Sequence, residues 1–335
     1  SYEFKQQFTR EKELSMYNIF IDGQVGTTGL RIADRLGDRK DILLVNIPYE
    51  QRKDEKVKAQ ILNEVDLVIL CLPDTAARES VSIIKNDRVR VLDASTAHRT
   101  DSKWIYGLPE LSPEQREKIK TASRVSNPGC YPTGFLLGVV PLLRAGILPA
   151  DYPVSVDAVS GYSGGGRQLI EKYEARAAEH PEALWTFRKY SLQLAHKHVP
   201  EMRHYAGLTY DPIFVPSVAH FEQGMLVSIP LATRFLKKGT TAAHIHACLA
   251  ENYVNEEFVE VYEPNNFDHL EDGFLSPLLC NDTNRVDIMV SGNQDQVLII
   301  SRLDNLGKGA SGAAIQNLNL MLGENEDKGL NRYRK

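Results

Sequence analysis

Cysteine is scarce in this chain: four in 335 residues, at positions 71, 130, 248 and 280, with no CxxC pair. So sparse a set excludes a disulfide framework and a cysteine-built zinc site, and it suits free thiols in a reducing compartment. Excess basic charge is missing too. Against 44 Asp and Glu there are 39 Lys and Arg, a formal net charge of -5, which argues against nucleic acid or a membrane surface as partner. No apolar stretch reaches the length that spans a bilayer, and no signal-peptide pattern is visible, so the expected location is the cytoplasm. Internal repeats and low-complexity tracts are absent. Residues 1–15, SYEFKQQFTREKELS, have no clear period and read as a loose tail or expression remnant.

What is present is an ordinary globular composition, 42% hydrophobic and 25% charged, on a chain long enough for two sizeable cores. From Met16 apolar runs and amphipathic segments alternate. MYNIFIDG, DILLVNIP, DLVILCLP and VRVLDAS read as strands; TTGLRIADRLG, KVKAQILNEV and TAARESVSIIKN read as the helices between them. The expected fold class is α/β, a doubly wound parallel sheet. After Cys130 the runs lengthen and helices thin out, with YPVSVDAVSGYSG, PIFVPSVAH, MLVSIPLAT, VDIMVSG and QVLIISRLD as candidate strands. This predicts an α+β second domain on a mainly antiparallel sheet, followed by a last amphipathic helix in KGASGAAIQNLNLML.

The turn after the first strand reads DGQVGTTG, with Gly23, Gly26 and Gly29 spaced to let a backbone approach a pyrophosphate at a helix N-terminus. The spacing is GxxGxxG rather than GxGxxG, so its position between strand and helix carries the dinucleotide reading. No acidic residue closes the second strand. Asn46 stands there, and Arg52 and Lys53 follow, a pair suited to the 2'-phosphate of NADP(H).

SNPGCYPTG places Cys130 between Gly and Tyr at a stiff corner before a helix, where N–H groups and the helix dipole lower a thiol pKa and can hold an oxyanion. A proton partner is needed. AHKHVPEM offers His196 and His198, which face one side if the segment is extended; HIH at 244–246 competes from a surface helix. No third ligand accompanies the pair, so no metal is expected. STAHRTD puts Arg99 past the fourth strand, and SGYSGGGRQLI puts Ser163, three glycines and Arg167 before a helix. Both suit an anionic substrate. Cys71 and Cys248 sit in apolar patterns and read as core, and Cys280 has no basic neighbours in sequence.

Taken together, FIDGQVGTTGL, DASTAHRTD with YGLPEL, SNPGCYPTG, SGYSGGGR, HKHVPE and DNLGKGASGAAIQNLNLML resemble the N-acetyl-gamma-glutamyl-phosphate reductases of arginine biosynthesis, in their shorter type 2 form. The resemblance runs from Met16 to about Gly323. It implies a Rossmann-type NADP-binding domain over 16–130 and a catalytic and dimerisation domain over 131–303, as in aspartate-semialdehyde and glyceraldehyde-phosphate dehydrogenases. It further implies a C-terminal helix, within 304–335, that returns to the first domain and brings Asn317 near the nicotinamide. Cys130 is then the nucleophile and His196 the proton carrier, although the residues alone leave His198 open. Arg99, Ser163, Arg167, His198 and Glu201 are expected around the substrate. Val25, Thr27, Thr28, Pro73 and Ser95 join the glycines, Arg52, Lys53 and Asn317 around NADP(H). Where the family usually has Arg between the histidines, this chain has Lys197. The partners expected are a small acyl phosphate and further copies of the chain, as homodimer or homotetramer. The same chemistry on N-acetyl-aminoadipyl phosphate, a non-redox cysteine transferase or hydrolase, and a non-catalytic NADP sensor are the rival readings.

Overall fold

The computed structural model describes residues 16–51 and 54–334. Its first part alternates β1 (Tyr17–Asp22), α1 (Thr27–Gly37), β2 (Ile42–Val45), α2 (Glu55–Glu64), β3 (Leu67–Leu70), α3 (Asp74–Ile83) and β4 (Arg90–Asp93). Then come β5 (Ile105–Tyr106), α4 (Pro113–Thr121) and β6 (Arg124–Ser126). The six strands are all parallel, in the order β2-β1-β3-β4-β6-β5. All four residues of β3 are fully buried. A continuous apolar strand of this kind requires cover on both faces. Leu62 of α2 and Ala77 of α3 lie in the cluster on one face, and Ile32 and Leu36 of α1 with Ile119 of α4 lie in the other.

The second part opens with α5 (Cys130–Arg144) and continues through β7 (Ser155–Gly161), α6 (Arg167–Glu179), β8 (Phe187–Lys189), α7 (Val199–Ala206) and β9 (Ile213–Ala219). β10 (Met225–Ala232), α8 (Ala242–Tyr253), β11 (Val259–Val261), β12 (Val286–Gly292) and β13 (Gln296–Leu303) complete it. These strands form one mixed sheet, β11-β12-β13-β10-β7-β9-β8, in which β7–β9 and β11–β12 pair parallel and the rest antiparallel. Met225, Val227, Ile229 and Leu231 alternate along β10 and face the core, the period of a sheet with one covered side. Helix α5 is that cover, and it is buried without a break from Tyr131 to Leu142. The architecture read from the sequence, a parallel doubly wound sheet followed by an α+β unit, is therefore the one observed.

Past β13 the chain makes one wide turn, Gly307–Ser311, with i→i+5 hydrogen bonds, and enters α9 (Gly312–Leu322). This helix leaves the mixed sheet. Its Ala314, Ile315, Leu318 and Met321 share a hydrophobic cluster with Ile19 and Leu67 of the parallel sheet, and the Tyr17 hydroxyl donates to the Leu322 carbonyl at 2.9 Å. Where the two parts meet, Lys308 is wholly buried, with Nζ 2.6 Å from both Glu110 Oε1 and Gln316 Oε1. Gln316 Nε2 in turn donates to Glu110 and to Glu326, each at 2.7 Å.

Candidate active site

A cavity of about 610 Å³ opens at the carboxyl ends of the parallel strands, between the two parts of the molecule. The glycine turn forms one edge. Gly23 adopts φ +89°, open to glycine at no steric cost, and a Cβ there would stand 2.4 Å from the Cys71 carbonyl oxygen. A Cβ at Gly29 would stand 2.5 Å from the Gly23 oxygen, so α1 can press onto the turn only with glycine at that position. Gly26 is the cap residue of α1, and neither a side-chain cap nor an acidic residue occupies the first turn. Thr27 and Thr28 line the cavity, while Val25 is exposed. An uncapped helix N-terminus that opens into a cavity fits a pyrophosphate. Pro73 is exposed at the start of α3. Ser95 is spent within its own turn: its hydroxyl donates to Asp93 at 2.8 Å and accepts from the Ala97 amide. Arg52 and Lys53 lie outside the described residues.

Opposite stands the cysteine corner. Gly129 caps α5 and Cys130 is its first residue. A Cβ on Gly129 would come within 2.7 Å of both Arg99 Nη1 and His198 Nε2, so glycine lets both side chains crowd the backbone beside the thiol. Glu201, itself buried, pins the corner from behind. Its carboxylate accepts from the Gly129 amide at 2.8 Å, the Tyr106 hydroxyl at 2.6 Å and Arg99 Nη1 at 3.2 Å. Arg99 also donates to the carbonyls of Asn127 and Ala94. Arg99 lines the cavity and Glu201 does not. The expected depression of the thiol pKa is not what the structure gives. Burial pushes Cys130 up to about 11, and Arg99 and the Tyr131 amide offset only part of that.

His196 and His198 both reach the cavity, their rings 4.7 Å apart. They converge on a turn rather than on an extended segment, because α7 starts at Val199 with Pro200 in its first turn and His198 as its cap residue, and the Val199 amide donates to the His196 carbonyl. His196 Nδ1 accepts from the His198 amide at 3.1 Å. That bond assigns the proton of the neutral ring to Nε2. Burial lowers the His196 pKa to about 4 and holds that of His198 well below its ordinary value, with Arg99 adding to the second shift. His198 Nδ1 is buried without a partner.

Ser163 lines the cavity, its hydroxyl accepting from Asn305 Nδ2 at 3.0 Å. Arg167 does not line it; the side chain is exposed and paired with Glu171 at 2.8 Å, one helical turn on. Asn317 is fully buried behind the cavity wall, with Nδ2 donating to the Gly107 carbonyl and to Asn127, and Oδ1 without a partner. The competing His244 is occupied in capping α8 with Thr241. Cys71 and Cys248 pack beside the cores. Cys280 is buried and has basic company after all: Arg285, five residues on in the same loop, and Arg302, brought in by β13. Arg188, Tyr190 and Asn305 also line the cavity. Sequence reasoning missed all three: Arg188 and Tyr190 stand in a stretch without a motif, and Asn305 belongs to the DNLGKGASG stretch, of which only the helix was used.

Family models of the semialdehyde dehydrogenases match both parts, the NAD binding domain over residues 23–121 and the dimerisation domain over 130–305. A protein of Nostoc sp. named N-acetyl-gamma-glutamyl-phosphate reductase 2 is 52% identical over 317 residues, 93% of this chain and 98% of that protein. The chain belongs to the N-acetyl-gamma-glutamyl-phosphate reductase family. A Burkholderia cenocepacia N-acetyl-gamma-glutamyl-phosphate reductase is 49% identical over 312 residues, 92% of this chain and 98% of its own length. Among solved structures, aspartate semialdehyde dehydrogenase from Francisella tularensis superposes with a TM-score of 0.70 at 13% identity, covering 92% and 100% of the two chains. The Vibrio cholerae aspartate semialdehyde dehydrogenase II complexed with ASA gives 0.69 at 14%, covering 92% and 98%. At such identities the likeness is one of fold alone. Within the N-acetyl-gamma-glutamyl-phosphate reductase family assignment, the match over 23–121 makes the parallel sheet a domain for a nicotinamide cofactor. No described helix is long and apolar enough to cross a membrane, and the described residues contain no cluster of three or more metal-ligating side chains.

Proposed function

We propose that this chain reduces N-acetylglutamyl 5-phosphate to N-acetylglutamate 5-semialdehyde and phosphate with NADPH, the arginine-biosynthetic reaction of the enzymes it is related to. The observation that supports this most is the convergence in one cavity of a cysteine at a helix start, an imidazole pair and an open dinucleotide turn. Cys130, neutral at rest, bonds through sulfur to the acyl carbon as the carbon–oxygen bond to phosphate breaks; its proton goes to the departing phosphate or to solvent. The bound cofactor supplies the hydride that reduces the thioester carbon. His196 is the acid. Its Nε2–H, set by the bond that Nδ1 accepts from the His198 amide, is placed to hydrogen-bond to the sulfur. The ring takes up a second proton from solvent and, as imidazolium, gives one to the sulfur as the adduct collapses to aldehyde, which returns it to the neutral form. His198 and Ser163 hold the acyl group, and Arg99, locked by Glu201, keeps the corner electropositive. Among the residues expected around NADP(H), Thr27 and Thr28 meet the pyrophosphate, Arg52 and Lys53 favour the 2'-phosphate, and Asn317 braces the nicotinamide end through Asn127. The dimerisation-domain match supports a homodimer or homotetramer.

The direct test is NADPH consumption by the purified protein with N-acetylglutamyl phosphate, or NADP reduction with the semialdehyde and phosphate. Turnover in both directions is expected. Tight NADP binding with no turnover in either direction would leave the sensor reading standing and remove this one.

A further inference from the structure

The reading above leaves a substrate with two negative ends, a phosphate on the attacked carbon and a carboxylate at the other end of the chain. Among the described residues, Arg99, Arg188, Lys189 and Lys197 are the lysine and arginine side chains that line the cavity. Two of them are already engaged. Arg99 is paired with Glu201 at 3.2 Å, and Lys189 holds Asp157 at 2.8 Å and the Ser217 hydroxyl at 3.3 Å. Arg188 and Lys197 make no ion pair with a described carboxylate within 4.0 Å. We propose that these two cations divide the substrate: Lys197 takes the phosphate beside Cys130, and Arg188 takes the distal carboxylate and so sets the length of acyl chain accepted.

Placement and chemistry agree on which takes which. Lys197 lies between the two histidines, and its charge is felt by Cys130, His196 and His198 alike. Its compact ammonium serves a phosphate as a point charge. Arg188 stands farther along the wall. Tyr131, next to Cys130, touches the Tyr190 hydroxyl at 3.2 Å, and Tyr190 extends the pairing of β8 with β9 through its amide and the Pro216 carbonyl. Arg188 precedes Tyr190 by two residues, so both share one face of the strand, about 6.6 Å apart. In an extended N-acylglutamyl chain the carboxylate carbon stands four bonds from the attacked carbon, roughly 5 Å, which spans that offset once the contacts at each end are added. The Arg188 guanidinium lies 4.0 Å over the Trp185 ring, and Trp185 is braced edge-on by the buried Tyr173 at 5.3 Å. Stacking uses the guanidinium face and leaves its in-plane N–H groups for the two oxygens of a carboxylate.

This inference rests on the acyl-phosphate reading, and the experiment separates the two. NADPH consumption is measured for wild type, Arg188→Gln, Arg188→Lys and Lys197→Gln with N-acetylglutamyl phosphate and with 4-acetamidobutanoyl phosphate, the same chain without its carboxylate. Wild type should prefer the first. Arg188→Gln should raise KM for it about tenfold to a hundredfold and bring the two substrates close to parity, Arg188→Lys should recover part of the preference, and Lys197→Gln should impair both substrates alike. Thermal melts of all four proteins check that folding is retained. A preference unchanged in Arg188→Gln, with active wild type, overturns the assignment of the carboxylate. Unequal loss in Lys197→Gln overturns that of the phosphate. If wild type consumes NADPH with neither substrate, the functional reading falls and takes this one with it.

Discussion

Two groups of buried polar side chains lie back to back in this molecule and behave oppositely. The first, Lys308 with Glu110 and Gln316, is dry and internally matched, and nearly every polar atom finds its partner within the chain. Burial pushes the Glu110 carboxyl up, but the adjoining Lys308 ammonium and the Gln316 amide outweigh it and leave its pKa below the ordinary value. The second, Cys130 with His196 and His198, lines the cavity, is only partly closed from water and has no opposite charge of its own, so burial favours the neutral form of all three. The two meet at the wide turn: Lys308 belongs to the first, and its neighbour Gly309 lies so close to Cys130 that an added Cβ would stand 2.8 Å from the cysteine Cβ. Buried groups that satisfy one another make architecture, and buried groups left wanting make a site.

The comparison predicts that changes in the second group cost activity and not stability, and the reverse for the first. Cys130→Ser carries the largest effect, a fall in kcat on the order of 10⁴-fold or more, with an unaltered melting temperature and intact NADP binding; measurable single-turnover reduction in the variant would end the covalent mechanism. His196→Asn should lower kcat about a hundredfold to ten-thousandfold and remove one limb of the pH profile, whereas His198→Asn should act mainly through KM. If the two results are exchanged, the proton carrier is His198. Lys308→Met leaves Glu110 buried beside no cation and should cost about 3–5 kcal/mol in urea unfolding. A stable variant with poor activity would instead make the pair part of the chemistry.

Acid sharpens the contrast. Histidine pKa values lowered by folding mean that the unfolded chain binds more protons between about pH 4 and the ordinary 6.5. Their contribution is therefore complete above 6.5 and lost as pH falls through that window. Glu110, lowered from 4.5, contributes above that value and loses its share only below it. Unfolding measured from pH 7 to 4.5 should thus flatten in the His196→Asn, His198→Asn double variant and not in Glu110→Gln. The smallest effect is expected at the cofactor: neutralising Arg52 and Lys53 should weaken NADPH about tenfold to a hundredfold and NADH far less. Equal losses for both cofactors would place the pair elsewhere.

Much of this was legible in the residues. Patterns with a strong period, such as the apolar β3 and the alternating β10, announce themselves, and so does a cysteine framed by Gly and Pro at a helix start. What escaped did so for physical reasons. β5 has two residues, and α4, PEQREKIKT, buries only Ile119; neither offers a window long enough to show periodicity. The thiol was read from its local corner alone, and the burial that raises its pKa comes from elements distant in sequence. Arg167 sits beside a glycine run that looked like an anion nest, yet the Glu171 carboxylate one turn on claims it. Arg188 gave no sign because its significance lies in Trp185, Tyr173 and the cavity that the fold assembles around it.

The return of α9 to the parallel sheet also bears on how the molecule is made. Tyr17 and Leu322 are hydrogen-bonded across 305 positions of chain, and the cluster that contains Ile19 and Leu67 is closed by Ala314, Ile315, Leu318 and Met321. On a ribosome the first sheet emerges early, but one of its apolar faces, covered in part by α1 and α4, lacks the cover of α9 until the whole mixed sheet has been synthesised. Vectorial folding of the nucleotide-binding part therefore cannot complete that face before residues 127–311 have been made, and the interval in which a chaperone is useful is the synthesis of that stretch.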